Sequence, residues 1–154
     1  MVHLLPDPTL TSNAANRGSR YAPGVLTPGL RREGELIVTA ADSAAAGLAI
    51  VPDVLASAKM ILFIETVCAE LMAEHLAPGE MSVGIGFDLT HEAPTPIGMK
   101  FFVAVEVVEV NKRTVVFQAL ARDEVEIIGR GRHTRAVIDV ERFMKRVNGK
   151  KSPR

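Results

Sequence analysis

The chain has 154 residues, enough for one domain whose core needs neither disulfides nor a structural metal. Its 18 Lys and Arg balance its 18 Asp and Glu, so nucleic acid, which calls for a basic excess, is not an expected partner. The one cysteine, Cys68, has no mate for a disulfide or a Cys/His zinc site, no apolar run reaches the length of a membrane span, and no basic-then-apolar leader is visible. The expectation is a cytoplasmic protein without a membrane partner or a metal.

Residues 1–33 are punctuated by Pro6, Pro8, Pro23 and Pro28 and show no sustained apolar period, which suggests an extended or partly disordered arm. A domain over 34–144 follows. Residues 34–40 read as a short strand with Leu36 and Val38 on one face. The alanine-rich stretch 41–51 fits a loop or a helical turn. Residues 53–76 predict the one long helix, with Asp53 suited to its N-terminus and Pro78-Gly79 ending it. At about 100° per residue, Met60, Ile64, Val67, Cys68 and Leu71 form one stripe, and Ala58, Leu62, Ala69 and Leu76 widen the apolar surface until only a wrapping partner such as a curved sheet would cover it.

Beyond the helix the period becomes two. Val83, Ile85, Phe87 and Leu89 alternate with Ser82, Gly84, Gly86 and Asp88, and His91 continues their face. A turn cluster over 92–96 precedes a β-branched and aromatic run over 99–110. Asn111-Lys112-Arg113 reads as a hairpin connection, and 114–122 and 126–140 supply two more strands. Strands joined by short turns favour an antiparallel sheet, and one helix on one face makes the class α+β. Residues 145–154 read as a basic flexible tail.

Glu65 is the unusual residue of the helix. Its neighbours three and four positions away are Ile61, Leu62, Cys68 and Ala69, none able to pair with a carboxylate. An acid in such surroundings either reaches water at the edge of the stripe or is supported by a group distant in sequence, where it can serve as base or nucleophile. His91, at a strand end, can act as acid or base near neutral pH, or simply be packed at a sheet edge. Ser57 lies two turns before Glu65, roughly 80° around and about 12 Å along the axis, too far for direct contact. A buried serine bonding its own helix is its plainer reading. Gly84 and Gly86 weaken a strand unless a backbone must be approached closely, by a substrate carbonyl or by the helix. His133, within the last strand, is read as structural.

These segments together resemble the fluoroacetyl-CoA thioesterase family, a hotdog-fold group, from about Leu36 to Phe143. The resemblance is carried by the helix from Val54-Leu55-Ala56-Ser57 through Glu65-Thr66-Val67-Cys68-Ala69, by the turn Thr90–Gly98, and by the last strand Glu126–Ile138. It implies an antiparallel sheet wrapped around the central helix, and a homodimer, or a tetramer built from such dimers, with sites at the dimer interface. It implies acyl-CoA thioester hydrolysis without a cofactor beyond the substrate's own coenzyme A. The hydroxyl, glutamate and histidine of the family correspond to Ser57, Glu65 and His91, with serine in place of threonine. Gly84 corresponds to a glycine beside the acyl group and Arg135 to a site arginine. Val51 stands where the fluoroacetyl-specific member has an aromatic lid residue, which implies hydrolysis of a small acyl-CoA without fluoroacetyl selectivity. A hotdog hydratase or dehydratase and a non-catalytic acyl-CoA-binding module are the competing readings.

Overall fold

The computed structural model describes residues 25–48 and 50–151. Strand β1 (Arg31–Ile37) is followed by two short 3-10 turns, Ala40–Asp42 and Ala44–Ala46, and then by helix α1 (Ser57–Ala73). Strands β2 (Glu80–His91), β3 (Lys100–Asn111), β4 (Thr114–Asp123) and β5 (Ile127–Asp139) come next, and helix α2 (Val140–Gly149) closes the order. Of the arm expected over 1–33, residues 1–24 lie outside the described residues. Gly29 and Leu30 already bond the backbone of Val107, and β1 starts three residues earlier than the pattern suggests. The sequence suggests a tail from Lys145, but α2 runs through Gly149, its N-terminus capped by the Asp139 carboxylate, which accepts from the Arg142 amide.

All strand pairs are antiparallel, in the order β1-β3-β4-β5-β2, so β2 is an edge strand. One face of the sheet wraps α1. The helix buries Met60, Ile64, Val67, Cys68, Leu71 and Met72, which contains the whole stripe expected from its periodicity. They meet Phe101, Val103, Val105, Val107, Val115, Phe117 and Ala119 of β3 and β4 in one cluster. Full burial of each large apolar side chain contributes about 1.5–3 kcal/mol, and this face is the main support of the helix. Helix and sheet touch closely at Gly34, where an added Cβ would lie 2.7 Å from Val67 Cγ2 and 3.1 Å from Phe63 Cζ.

The N-terminus of α1 differs from the expected one. Asp53 precedes the helix by four residues, and its carboxylate accepts from the Ser43 hydroxyl at 2.5 Å. That pair ties the 3-10 turns to an extended segment that bridges Val54 to Pro96 and bonds Leu55 N–H to the Thr95 carbonyl. The helix therefore starts at Ser57, beside the loop that follows β2. Thr95, fully buried in this loop, donates to Asp123 Oδ2 at 3.1 Å, and Asp123 Oδ1 accepts from the Val125 and Glu126 amides. Burial pushes the Asp123 carboxyl up, but the Glu126, Val125 and Thr95 donors outweigh it and hold the group below its ordinary value. One buried carboxylate thus anchors both the β4–β5 turn and the loop that sets the start of α1 against the end of β2.

Strand β2 also departs from the simple alternation. Its register against β5 shifts between Gly84 and Gly86, leaving Ile85 as the extra residue of a bulge, and Ile85 is exposed. Ser82 and Gly84 face the helix before the bulge, and Phe87, Leu89 and His91 after it. Ile85 does not share their face, because one inserted residue inverts the parity. Asp123→Ala is expected to lower stability by about 1–3 kcal/mol, since three donors lose their acceptor. Urea unfolding of the variant measures this.

Candidate active site

The interior strand β5 brings Arg135 and His133 to Glu65, and Ser82 and Phe87 of β2 hold those two in turn. Arg135, 4% exposed on β5, places Nη1 3.3 Å from Glu65 Oε1. Its Nε donates to Ser82 Oγ at 3.0 Å and its Nη2 to the Ser82 carbonyl at 2.9 Å. His133, fully buried two residues earlier on the same face of β5, has Nε2 3.8 Å from Glu65 Oε1 and 3.2 Å from Arg135 Nη1. Phe87 stacks on the His133 ring, with centroids 4.6 Å apart and planes at 22°.

The Glu65 side chain is 29% exposed, so the acid is neither sealed in nor spread into solvent. The support that its helical neighbours lack comes from a guanidinium 70 residues away, which offsets the cost of placing a carboxylate beside apolar groups. Gly84 makes this arrangement possible. A Cβ there would overlap Glu65 Oε1 and crowd His133 Cε1 and Phe87 Cζ, so a glycine lets the carboxylate lie against the backbone of β2.

Ser57 and His91 form a second group. Ser57 is the first residue of α1 and His91 the last of β2, and Ser57 Oγ lies 2.7 Å from His91 Nδ1. The serine bonds the imidazole, in contrast to the plainer expectation of a bond within its own helix. His91 Nε2 is buried and has no hydrogen-bond partner among the described residues. Burial draws the His91 pKa below its ordinary value, against an opposing backbone bond at Ala93.

Two helical turns, about 12 Å of axis, separate this pair from Glu65. Among the described residues no hydrogen bond or ion pair joins Glu65 to His91. The imidazole beside Glu65 is that of His133, which sequence reasoning set aside as structural. Its only signal was its spacing, two residues before Arg135 and therefore on the same strand face. Ser82 was missed as well, because nothing in a strand pattern marks a serine that will grip an arginine. Val51 lies in the loop after the second 3-10 turn, half-buried, with its amide bonded to the Leu48 carbonyl. Cys68 is buried, and burial foremost pushes its thiol up to about 12, which suits a packed side chain and not a nucleophile.

His133 also has its pKa drawn down, by burial first, with the Gly86 carbonyl opposing, Arg135 lowering and Glu65 raising it. Folded-state values below the unfolded ones mean that the unfolded chain takes up protons first as pH falls. Stability from both histidines is therefore complete above about pH 6.5 and declines below it. The melting temperature is expected to be flat from pH 8 to 7 and to fall between about pH 6.5 and 5, above the range in which ordinary carboxylates titrate. His133→Gln is expected to flatten that slope.

The fluoroacetyl-CoA-specific thioesterase family model matches residues 38–141. A fluoroacetyl-CoA thioesterase from Streptantibioticus cattleyicolor is 39% identical over 99 residues, 64% of this chain and 71% of that relative. A solved structure of a fluoroacetyl-CoA thioesterase aligns with a TM-score of 0.78 at 33% identity, covering 83% of this chain and 98% of that one. A hot-dog-like protein from Thermanaerovibrio acidaminovorans aligns with a TM-score of 0.77 at 22% identity, covering 82% and 94%, which bears on the fold alone. With its antiparallel sheet wrapped on one central helix and a family match across most of that domain, the chain has the hotdog fold and belongs to the fluoroacetyl-CoA-specific thioesterase family.

Proposed function

We propose that this protein hydrolyses the thioester of a small acyl-CoA, releasing the free acid and CoA, with Glu65 as the working carboxylate. The observation that carries this reading is the state of Glu65, a partly exposed acid pinned through Oε1 by Arg135 against the backbone of Gly84. Oε2 is then the oxygen turned to chemistry. It either attacks the thioester carbonyl, expelling the CoA thiolate and leaving an acyl anhydride that water then cleaves, or takes a proton from a water that attacks the carbonyl and expels the thiolate directly; both routes end in free acid and CoA. Backbone N–H groups around Gly84, at the bulge of an edge strand, are suited to the developing oxyanion. The Ser57 hydroxyl orients the acyl group or the water. His91, kept neutral by burial, assists proton transfer as the CoA thiolate leaves. Val51, smaller than an aromatic lid, favours small acyl groups in general over fluoroacetyl in particular.

The separation of Ser57–His91 from Glu65 supports a site shared between two copies. Strand β2 is a 12-residue edge with Met81, Ile85 and Phe87 half or more exposed, a surface suited to pairing with another strand. A two-fold pairing of β2 with itself runs the strands in opposite directions. It turns the partner's Ser57–His91 pair towards the half of β2 that holds Ser82 and Gly84, against which Glu65 of α1 lies. One dimer then carries two composite sites.

Glu65→Gln is expected to lower kcat/KM by on the order of 10²–10⁴-fold with the dimer intact, read as free thiol released from short acyl-CoAs. Turnover equal to wild type would remove Glu65 from the mechanism, and a change in enoyl absorbance without thiol release would indicate hydration instead. A doubly tagged heterodimer of Glu65→Gln and His91→Ala chains is expected to show about half of wild-type activity, since one composite site keeps both groups. Activity no higher than that of the single variants would show that each site lies within one chain.

A further inference from the structure

Hydrogen-bond chemistry determines the protonation of His133. Its Nδ1 lies 3.0 Å from the Gly86 carbonyl oxygen, which can only accept, so Nδ1 carries the hydrogen. Arg135 can only donate, and its Nη1 lies 3.2 Å from Nε2, so Nε2 presents a lone pair to it. The ring is therefore neutral, in agreement with the direction in which burial moves its pKa. Its plane is held by the stack on Phe87.

The same Nη1 faces Glu65 Oε1 at 3.3 Å and the Glu65 carbonyl at 3.4 Å, both longer than the bond to His133. Ser82 takes Nε and Nη2 and so grips the other edge of the guanidinium. With Ser82 alone, the plane could swing about that edge and carry Nη1 away from the carboxylate. The imidazole blocks this movement with an acceptor that is itself immobile, being fully buried and held on its far side by Gly86.

We infer that His133 is a positioning residue for the thioesterase reaction: as a neutral acceptor it holds Arg135 in the one orientation that keeps Glu65 Oε1 engaged and Oε2 presented to the thioester. It touches no reacting atom and acts through Arg135. The inference rests on Glu65 as the working carboxylate.

His133→Phe keeps a ring against Phe87 but offers Arg135 no acceptor, whereas His133→Gln restores an acceptor oxygen near the place of Nε2. The expected result is a fall in kcat of about tenfold or more for His133→Phe with KM within about twofold, and kcat within about threefold of wild type for His133→Gln. In an Arg135→Gln background, adding His133→Phe is expected to cost less than about twofold, because the group through which it acts is gone. Wild-type kcat in a folded His133→Phe enzyme would overturn the inference, and so would losses that multiply in the double variant. If His133→Phe does not fold, His133→Asn decides under the same thresholds, since its amide can still donate to Gly86 without reaching Arg135. An inactive Glu65→Gln beside a fully active His133→Phe would sink this inference alone. An active Glu65→Gln would sink the functional reading beneath it.

Discussion

The contact between Glu65 and Arg135 is the one on which the rest of the site depends. A carboxylate on the apolar side of a helix is unfavourable by itself, and the helix offers it no partner within a turn. The guanidinium that compensates it sits almost fully buried on β5, and burying that cation is costly in its turn. Ser82, His133 and the Glu65 side chain occupy all three of its nitrogens, so the arginine is held from several sides at once. An ion pair of this kind adds little to stability compared with a well-packed apolar pair of the same volume, and its value lies in orientation.

Several features of the sheet follow from making room for that contact. The carboxylate reaches β2 only because Gly84 has no side chain, and the bulge beside it reverses the facing of the strand so that Phe87 can cover His133. The edge position of β2 leaves its outer backbone unpaired and its Met81, Ile85 and Phe87 exposed among the described residues. At the opposite end of the strand, Asp123 and Thr95 anchor the loop that seats Ser57 beside His91. Glu65 and the Ser57–His91 pair are thus held by different devices, a buried cation for one and a buried carboxylate for the other.

Periodicity was a reliable guide wherever one physical constraint acted on one segment. The α1 stripe from Met60 to Leu71 is buried as its spacing implies, because a helix packed on a single surface must bury the side chains that recur every 3.6 residues. The strands β3 and β4 likewise match their apolar runs to within a residue or two. The pattern was misleading where a local rule met a tertiary one. Asp53 is a good helix starter in isolation, yet Ser43 claims its carboxylate and the helix begins later. Strict alternation placed Ile85 with Phe87, and one bulged residue separated them.

The sequence by itself determined the α+β class, the wrapped helix, the oddity of Glu65 and, through resemblance, the family, and it singled out Ser57, His91, Gly84 and Arg135 as candidates. These are properties of local spacing or of short motifs, and a linear chain displays them directly. Only the tertiary structure decided that Glu65 meets Arg135 and His133, with Ser82 gripping the arginine, and that Ser57 and His91 form a pair two helical turns away. Those neighbours lie between 17 and 70 residues from Glu65 along the chain. Which of them share its end of the sheet depends on strand order and on one bulge, and neither leaves a periodic trace in the sequence.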